Sequence, residues 1–403
     1  MSGTQTGDVY SRQVSLAEWY EKAGIGNLAL VRAEDSTKTD RLKILNSVIG
    51  LPYNAPYMLS LTDVFQATPK LAEVITLFGG RPCGLRANPT DTTLPRHRIR
   101  GLGLKESVDW LRSQVSASAP YEVEVVPHVE EPEWSTIFVV TTRSFVGEIV
   151  RGGHHYLTQS VSTPTDIIRF KRVNDEWILS RSDTEATTHL ETIRIAVRVV
   201  DDRRRAELTR ELDAEFDGDY LIGYFETICS SSWGLRFVDY NRRIAKLFAD
   251  PSSPRLDEAF PYIYANEANQ LSGVPASPGS WSGVAKILLD PDGPNLEFSA
   301  GDVLVCAATT PDYIPLIQLA GAVVTDSGGM LSHAAIVCRE LRKPCVAGVK
   351  VGTHVINHGD RVHVDGTRGS VSIQAPISRA PALTEESSSA TLTRSGPDAV
   401  RKS

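Results

Sequence analysis

The sequence predicts an α/β (α+β) chain of two units, and three observations carry that prediction. Over residues 281–375, short runs rich in β-branched residues alternate with short helical patterns, as in a compact β/α sandwich. Upstream, over residues 13–265, strand-like runs come in neighbouring pairs between amphipathic helical stretches. Between the two, residues 266–280 contain few large apolar side chains and read as a linker. Residues 1–12 are polar and read as a flexible N-terminus, and the Ser/Thr/Ala-rich stretch 376–403 reads as a disordered tail.

Composition excludes several classes of function. At 403 residues, with 41% hydrophobic and 23% charged residues, the chain can bury more than one core. No apolar run approaches the length of a membrane span, and the polar start lacks a signal-peptide core, so neither membrane nor export is expected. A formal net charge of −7 argues against nucleic acid as a main partner, whereas a nucleotide needs only a local basic pocket. The five cysteines are scattered without CxxC spacing and suit a reduced, cytoplasmic setting as small buried apolar groups.

In chain order, Ser15 to Lys22 starts a helix with Leu16, Trp19 and Tyr20 on one face, and Leu28 to Val31 reads as a strand. Ser36 to Leu45 carries Lys38 and Lys43, and a proline-containing strand ending at Ser60 leads into a helix from Leu61. Arg86 follows a short apolar strand and precedes a small polar loop, and Arg96, Arg98 and Arg100 form an alternating basic strip fit for triphosphate or for solvent. Tyr121 to Val129 and Ser135 to Thr142 read as paired strands, and Gly147 to Val150 as a further strand near Arg151. His154 and His155, adjacent on such a strand, point to opposite faces, so a satisfied hydrogen bond for one of them is expected rather than a metal site. Phe170 to Leu179 reads as a hairpin, and Thr188 to Phe216 as a helical region broken near Asp201.

Two strands, Gly223 to Cys229 and Trp233 to Arg243, are joined by a Ser-rich turn. Paired in register, they place Glu226 and Asp239 side by side. Two carboxylates with the Asn241 oxygen make a hard-oxygen cage for Mg²⁺, and an ordinary charged hairpin is the alternative. In the second unit, strands at Val284 to Leu289, Val303 to Cys306, Ala322 to Thr325, Cys345 to Ala347, Arg361 to Val364 and Ser370 to Ile373 are interleaved with helices at Tyr313 to Leu319 and His333 to Leu341. His354, His358 and His363 straddle a Gly-Asp turn and read as surface residues. After Ala322-Val323-Val324, Gly328-Gly329 breaks the chain and Ser332-His333 opens the second helix. A histidine there sits at the positive end of a helix, beside free backbone N–H groups able to hold phosphate oxygens. The other reading is a histidine at the start of an ordinary helix.

Gly328-Gly329-Met330-Leu331-Ser332-His333-Ala334-Ala335-Ile336-Val337-Cys338-Arg339-Glu340-Leu341, followed by Lys343-Pro344 and Gly348, resembles the phosphohistidine swivelling domain of phosphoenolpyruvate-utilising enzymes such as pyruvate phosphate dikinase, phosphoenolpyruvate synthase and rifampin phosphotransferase. The resemblance runs over about residues 273–374 and departs at Leu331, where that family has a small polar residue. It implies an ATP-grasp-like nucleotide domain upstream, ATP and Mg²⁺ as cofactors, and His333 as phosphocarrier oriented by Thr325, Ser332 and Arg339. Asp239-x-Asn241-x-Arg243 resembles the Glu-x-Asn-x-Arg ending of ATP-grasp folds. That match implies Glu226, Asp239 and Asn241 as metal ligands and Arg243 on phosphate. Lys38 (with Lys43 as alternative), Arg86 and Arg151 would be the other nucleotide contacts, although the Gly-Gly before the lysine is missing and Ala87-Asn88 replaces two serines. The function implied is an ATP-dependent phosphotransferase passing phosphate through His333 to an unidentified small-molecule or protein acceptor. An ATP-grasp-type ligase and a degenerate nucleotide-binding module are the alternatives. Nothing in the chain is long enough to be the family's pyruvate barrel or antibiotic-binding domain.

Overall fold

The computed structural model describes residues 19–21, 24, 33–34, 36–91, 94–128, 132–142, 144–158, 167–249, 270–290 and 297–374. The polar start, the strand read at Leu28 to Val31 and the tail lie outside them.

The first sheet holds β1 (Tyr57–Ser60), β2 (Pro82–Pro89), β3 (His97–Gly103) and β4 (Tyr121–Pro127) in the antiparallel order β1-β4-β2-β3. After helix α1 (Lys38–Ile49), helices α2 (Leu61–Gln66), α3 (Pro69–Phe78) and α4 (Leu104–Gln114) cover one face of this sheet. They bury Val64, Val74, Val108 and Leu111 against Leu85 and Val123. The start of α2 follows from its sequence: the Ser60 hydroxyl accepts from the Asp63 N–H, and the Asp63 carboxylate accepts from the Ser60 N–H. The opposite face of the sheet carries its arginines.

The second sheet contains β5 (Trp134–Val140), β6 (Phe145–Val150), β7 (Ile168–Val173) and β8 (Glu176–Leu179). A short helix, α5 (His155–Thr158), follows β6, and α6 (Thr184–Ala196) and α7 (Asp202–Leu212) follow β8. The Asp201 carboxylate accepts from the first N–H groups of α7, which explains the break read there. After a two-residue ribbon, β9 (Phe216–Asp217) and β10 (Tyr220–Leu221), the hairpin β11 (Gly223–Ser230) and β12 (Gly234–Asn241) completes the order β12-β11-β5-β6-β7-β8. Phe138, Phe145 and Phe225 stack at its centre, with centroids 4.8–5.3 Å apart. The turn between β7 and β8 is Asn174-Asp175, both at positive φ, the two-residue hairpin geometry. Helix α8 (Arg242–Ala249) leaves β12 directly.

The third sheet carries the second unit: β13 (Gln270–Ser272), β14 (Val274–Ser277), β15 (Ser280–Ile287), β16 (Val303–Cys306), β17 (Ala322–Thr325), β18 (Cys345–Ala347), β19 (Arg361–Asp365) and β20 (Ser370–Gln374). Its order is β13-β20-β19-β15-β16-β17-β18-β14, and β15 to β18 run parallel through α9 (Ile314–Leu319) and α10 (His333–Glu340). A last short helix is α11 (Gly352–Val355).

Two expectations are corrected. The strands read as a pair at Tyr121 to Val129 and Ser135 to Thr142 belong to different sheets: β4 pairs with β1 and β2, β5 with β6 and β11. Each is apolar enough to sit centrally in its own sheet, and adjacency in sequence does not reveal a crossing between layers. The stretch 266–280 read as a linker contributes β13 and β14 from Gln270 onward, where small residues such as Ala276 and Ser277 are buried against the parallel strands. One apolar cluster joins the units: Tyr20, Tyr224, Ile244 and Phe248 pack in it with Met330, Leu331 and Ala335. Among the described residues no helix is long and apolar enough to cross a membrane.

Candidate functional site

Residues of both units line one cavity of about 250 Å³. From below comes the hairpin β11–β12. Its register sets Glu226 directly opposite Asp239, and period-2 alternation keeps Asn241 on the same face as Asp239. The Tyr224 hydroxyl donates to Glu226 Oε1 at 2.7 Å, and His154 Nε2 lies 3.2 Å from Glu226 Oε2. Lys38, at the first turn of α1, places its Nζ 2.9 Å from Asp239 Oδ2, and Arg41 one turn later reaches within 3.8 Å of Asp239 Oδ1. From the side come Arg86 on β2, Arg96, and Arg98 and Arg100 on β3.

From above comes His333. Gly328, at φ 111°, turns the chain in a way side chains rarely permit. The Ser332 hydroxyl then donates to the Gly329 carbonyl (3.0 Å) and accepts from the Ala335 N–H, capping α10. His333 is therefore the first helical residue, and its ring enters the cavity edge-on to Trp19, centroids 6.2 Å apart. Its Nδ1 is buried without a hydrogen-bond partner. Burial lowers its pKa to about 4, against the opposing pull of Glu226, so the imidazole is neutral at pH 7.

The two carboxylates are electrostatically unlike. Burial pushes Glu226 up, but His154 and Lys38 outweigh it and hold this carboxyl well below the usual range. Burial, together with the charge of Glu226, pushes Asp239 up despite Lys38 and Arg41. Asp239 Oδ1 is buried with no hydrogen bond. A buried pair of carboxylates, one with an orphaned oxygen, fits a hard divalent cation. The set is lean: among the described residues no group of three His, Cys, Asp or Glu side chains is placed to hold a metal. Asn241 is correspondingly engaged, its Oδ1 accepting from the Ile244 N–H at 2.9 Å at the start of α8.

Other expected contacts sit elsewhere. Arg151 is corrected: it lies over the Trp134 ring (4.2 Å), is paired with Glu185 on the surface, and does not line the cavity. Strand β6 ends one residue before it, and the following turn carries its side chain outward. His154 and His155 stand in that turn and at the start of α5, not along a strand, so both line the cavity. Arg86 is a mid-strand residue, not the lip of a loop, and its Nη1 is 3.6 Å from Glu124. Arg243 lines the cavity, but its guanidinium rests 3.1 Å from Glu340 and over the Tyr20 ring. Thr325 and Arg339 lie outside the lining. Thr325 donates to the Ser327 carbonyl at 2.7 Å, and Arg339 packs over Phe248. Arg41 was missed in the sequence, where no motif spacing marks it, and His154 was weighed there only as one of two histidines expected in a hydrogen bond. The i, i+3 placement of Arg41 after Lys38 was the available signal.

Residues 298–369 match the family profile described as PEP-utilising enzyme, mobile domain. The chain is 36% identical over 216 residues to a probable phosphoenolpyruvate synthase of Staphylothermus marinus, covering 51% of this chain and 26% of that one. It is 43% identical over 108 residues to the uncharacterized phosphotransferase YvkC of Bacillus subtilis, covering 27% and 13%. The chain thus spans about a quarter or less of the length of these relatives. Among solved structures, the D-cycloserine synthetase DcsG overlaps 53% of this chain and 64% of its own at 11% identity and a TM-score of 0.30, a likeness too slight to carry an argument.

Proposed function

We infer that this chain, which belongs to the phosphoenolpyruvate-utilising enzyme superfamily through its mobile domain, is an ATP-dependent phosphotransferase with His333 as the carrier. One observation carries the reading: the helix that begins at His333 delivers a neutral imidazole into a cavity walled by Lys38, six arginines and four carboxylates of the other unit, Glu226 and Asp239 among them. A neutral imidazole has the lone pair that phosphorus requires. His333 forms the N–P bond as the P–O bond to the leaving nucleotide breaks, and the displaced oxygen takes the electron pair. Lys38, Arg86 and Arg243 balance the phosphate charge, Arg243 after leaving Glu340. Mg²⁺, when bound, would be held by Glu226 and Asp239, with Asn241 beside them, and would neutralise charge on the transferring phosphate.

A single histidine cannot face both the nucleotide and a distant acceptor, so the second unit swings away to deliver its phosphate to a small molecule or a protein. We place the protein in the cytoplasm, which keeps its free thiols reduced. Intact-mass spectrometry at alkaline pH after incubation with Mg·ATP tests the reading. An acid-labile phosphate adduct is expected on the wild type and not on His333→Ala, and release of AMP or ADP identifies the phosphate used. Adduct on His333→Ala at wild-type yield removes His333 as the carrier.

A further inference from the structure

Beside the cavity, a second contact between the units has no part in the chemistry above. Glu148 on β6 is almost fully buried, at 1% exposure, a rare place for a carboxylate. Its Oε1 is 3.2 Å from Nε of Arg169 on β7, the cross-strand neighbour in register with it. The same carboxylate lies against the backbone of the loop Gly329-Met330-Leu331, which belongs to the other unit and immediately precedes Ser332-His333. The approach is close enough to dictate a residue type. A Cβ on Gly329 would sit 1.9 Å from Glu148 Oε2, so the loop reaches the carboxylate only because that position is glycine.

We propose that Glu148, held by Arg169, is the positioning residue that docks the His333 loop over the nucleotide site. The clamp is a close fit: one buried carboxylate set against the backbone at Gly329 fixes where the loop stands. It does so at the loop backbone, four residues before the imidazole, so it sets the position of His333 without touching the reacting atoms. This proposal rests on the phosphotransferase reading for its catalytic consequence. The docking contact stands apart from that reading.

The test separates binding from positioning. In Glu148→Gln, Mg·ATP affinity by calorimetry is expected within about twofold of wild type, whereas single-turnover phosphorylation of His333 slows at least about tenfold. Amide hydrogen exchange at Met330 and Leu331 is expected to accelerate by a similar factor. Gly329→Ala, made in the second unit and away from the nucleotide, should produce the same split. Its backbone lies outside the left-handed region, so the substitution acts through the clash with Glu148 and not through backbone strain. Combining it with Glu148→Ala, which removes the clashing oxygens, should cost less than the product of the two single effects. Wild-type phosphorylation rates in both single variants overturn the positioning role. Unchanged exchange at Met330 and Leu331 overturns the clamp itself, whether or not the wild type forms phosphohistidine. Absence of adduct on the wild type with accelerated exchange in the variants supports the clamp and removes the parent reading.

Discussion

At the scale of single residues, position relative to the cavity decides which cation matters. Arg86 and Arg151 look equivalent as charges, but Arg86 lines the cavity from mid-strand and Arg151 lies on the surface against Trp134 and Glu185. Arg86→Ala is expected to weaken Mg·ATP binding about tenfold or more, the loss of one charge-assisted contact of about 1.5–3 kcal/mol. Arg151→Ala should leave affinity within about twofold and cost under about 1 kcal/mol of stability, since exposed ion pairs contribute little. Calorimetric titration of the two variants decides between these assignments; equal losses would restore Arg151 to the site. Helix onset and strand alternation were enough to say where the His333, Glu226 and Asp239 side chains point, and the resemblance supplied the roles expected of them. Arg151 was not legible in this way, because one residue past the end of a strand alternation no longer applies.

Elements are held by how closely their backbones approach. Gly147 sits between β5 and β7, where a Cβ would meet the Ile137 carbonyl oxygen at 2.3 Å and the Phe170 ring at 2.6 Å. Gly147→Ala is therefore expected to lose on the order of 2–3 kcal/mol, the upper range for overpacking, because backbone rather than a flexible side-chain end must move. A urea denaturation midpoint unchanged from wild type would contradict that packing. Strands β16 to β20 of the second unit were read to within a residue at each end, since each is a short β-branched run bounded by turn residues, whereas β15 begins four residues earlier than read. The assignment of β4 and β5 to separate sheets was not, because both runs carry the same pattern and partner choice is a long-range matter. The same holds for β13 and β14, whose small side chains look like a linker until the parallel strands that bury them are in place.

Across the whole molecule, burial of neutral histidines links stability to pH. His128, His189 and His333 are each lowered to about 4, chiefly by burial. Unfolded, each titrates near about 6.5. Between those values the unfolded chain binds more protons, so stability falls as pH drops from about 6.5 toward 4 and the histidine contribution is level below that. For His189, only 8% exposed and stacked on Trp134, the loss by pH 5 is on the order of 2 kcal/mol. Thermal unfolding should show a lower midpoint at pH 5 than at pH 7, and His189→Gln should flatten part of that slope. A midpoint independent of pH over this range would mean that these rings are solvated.

Local order in the chain was enough for the α/β class, the glycine break before α10, and the carboxylate pair of the hairpin. These depend on φ preferences, helix onset and period-2 alternation, which act over a few residues. Folding in three dimensions alone brought Lys38 to Asp239, His154 to Glu226, and Glu148 to the loop before His333. Those contacts join elements far apart in the chain, and their partners are chosen by which apolar faces bury one another. No local pattern encodes that choice.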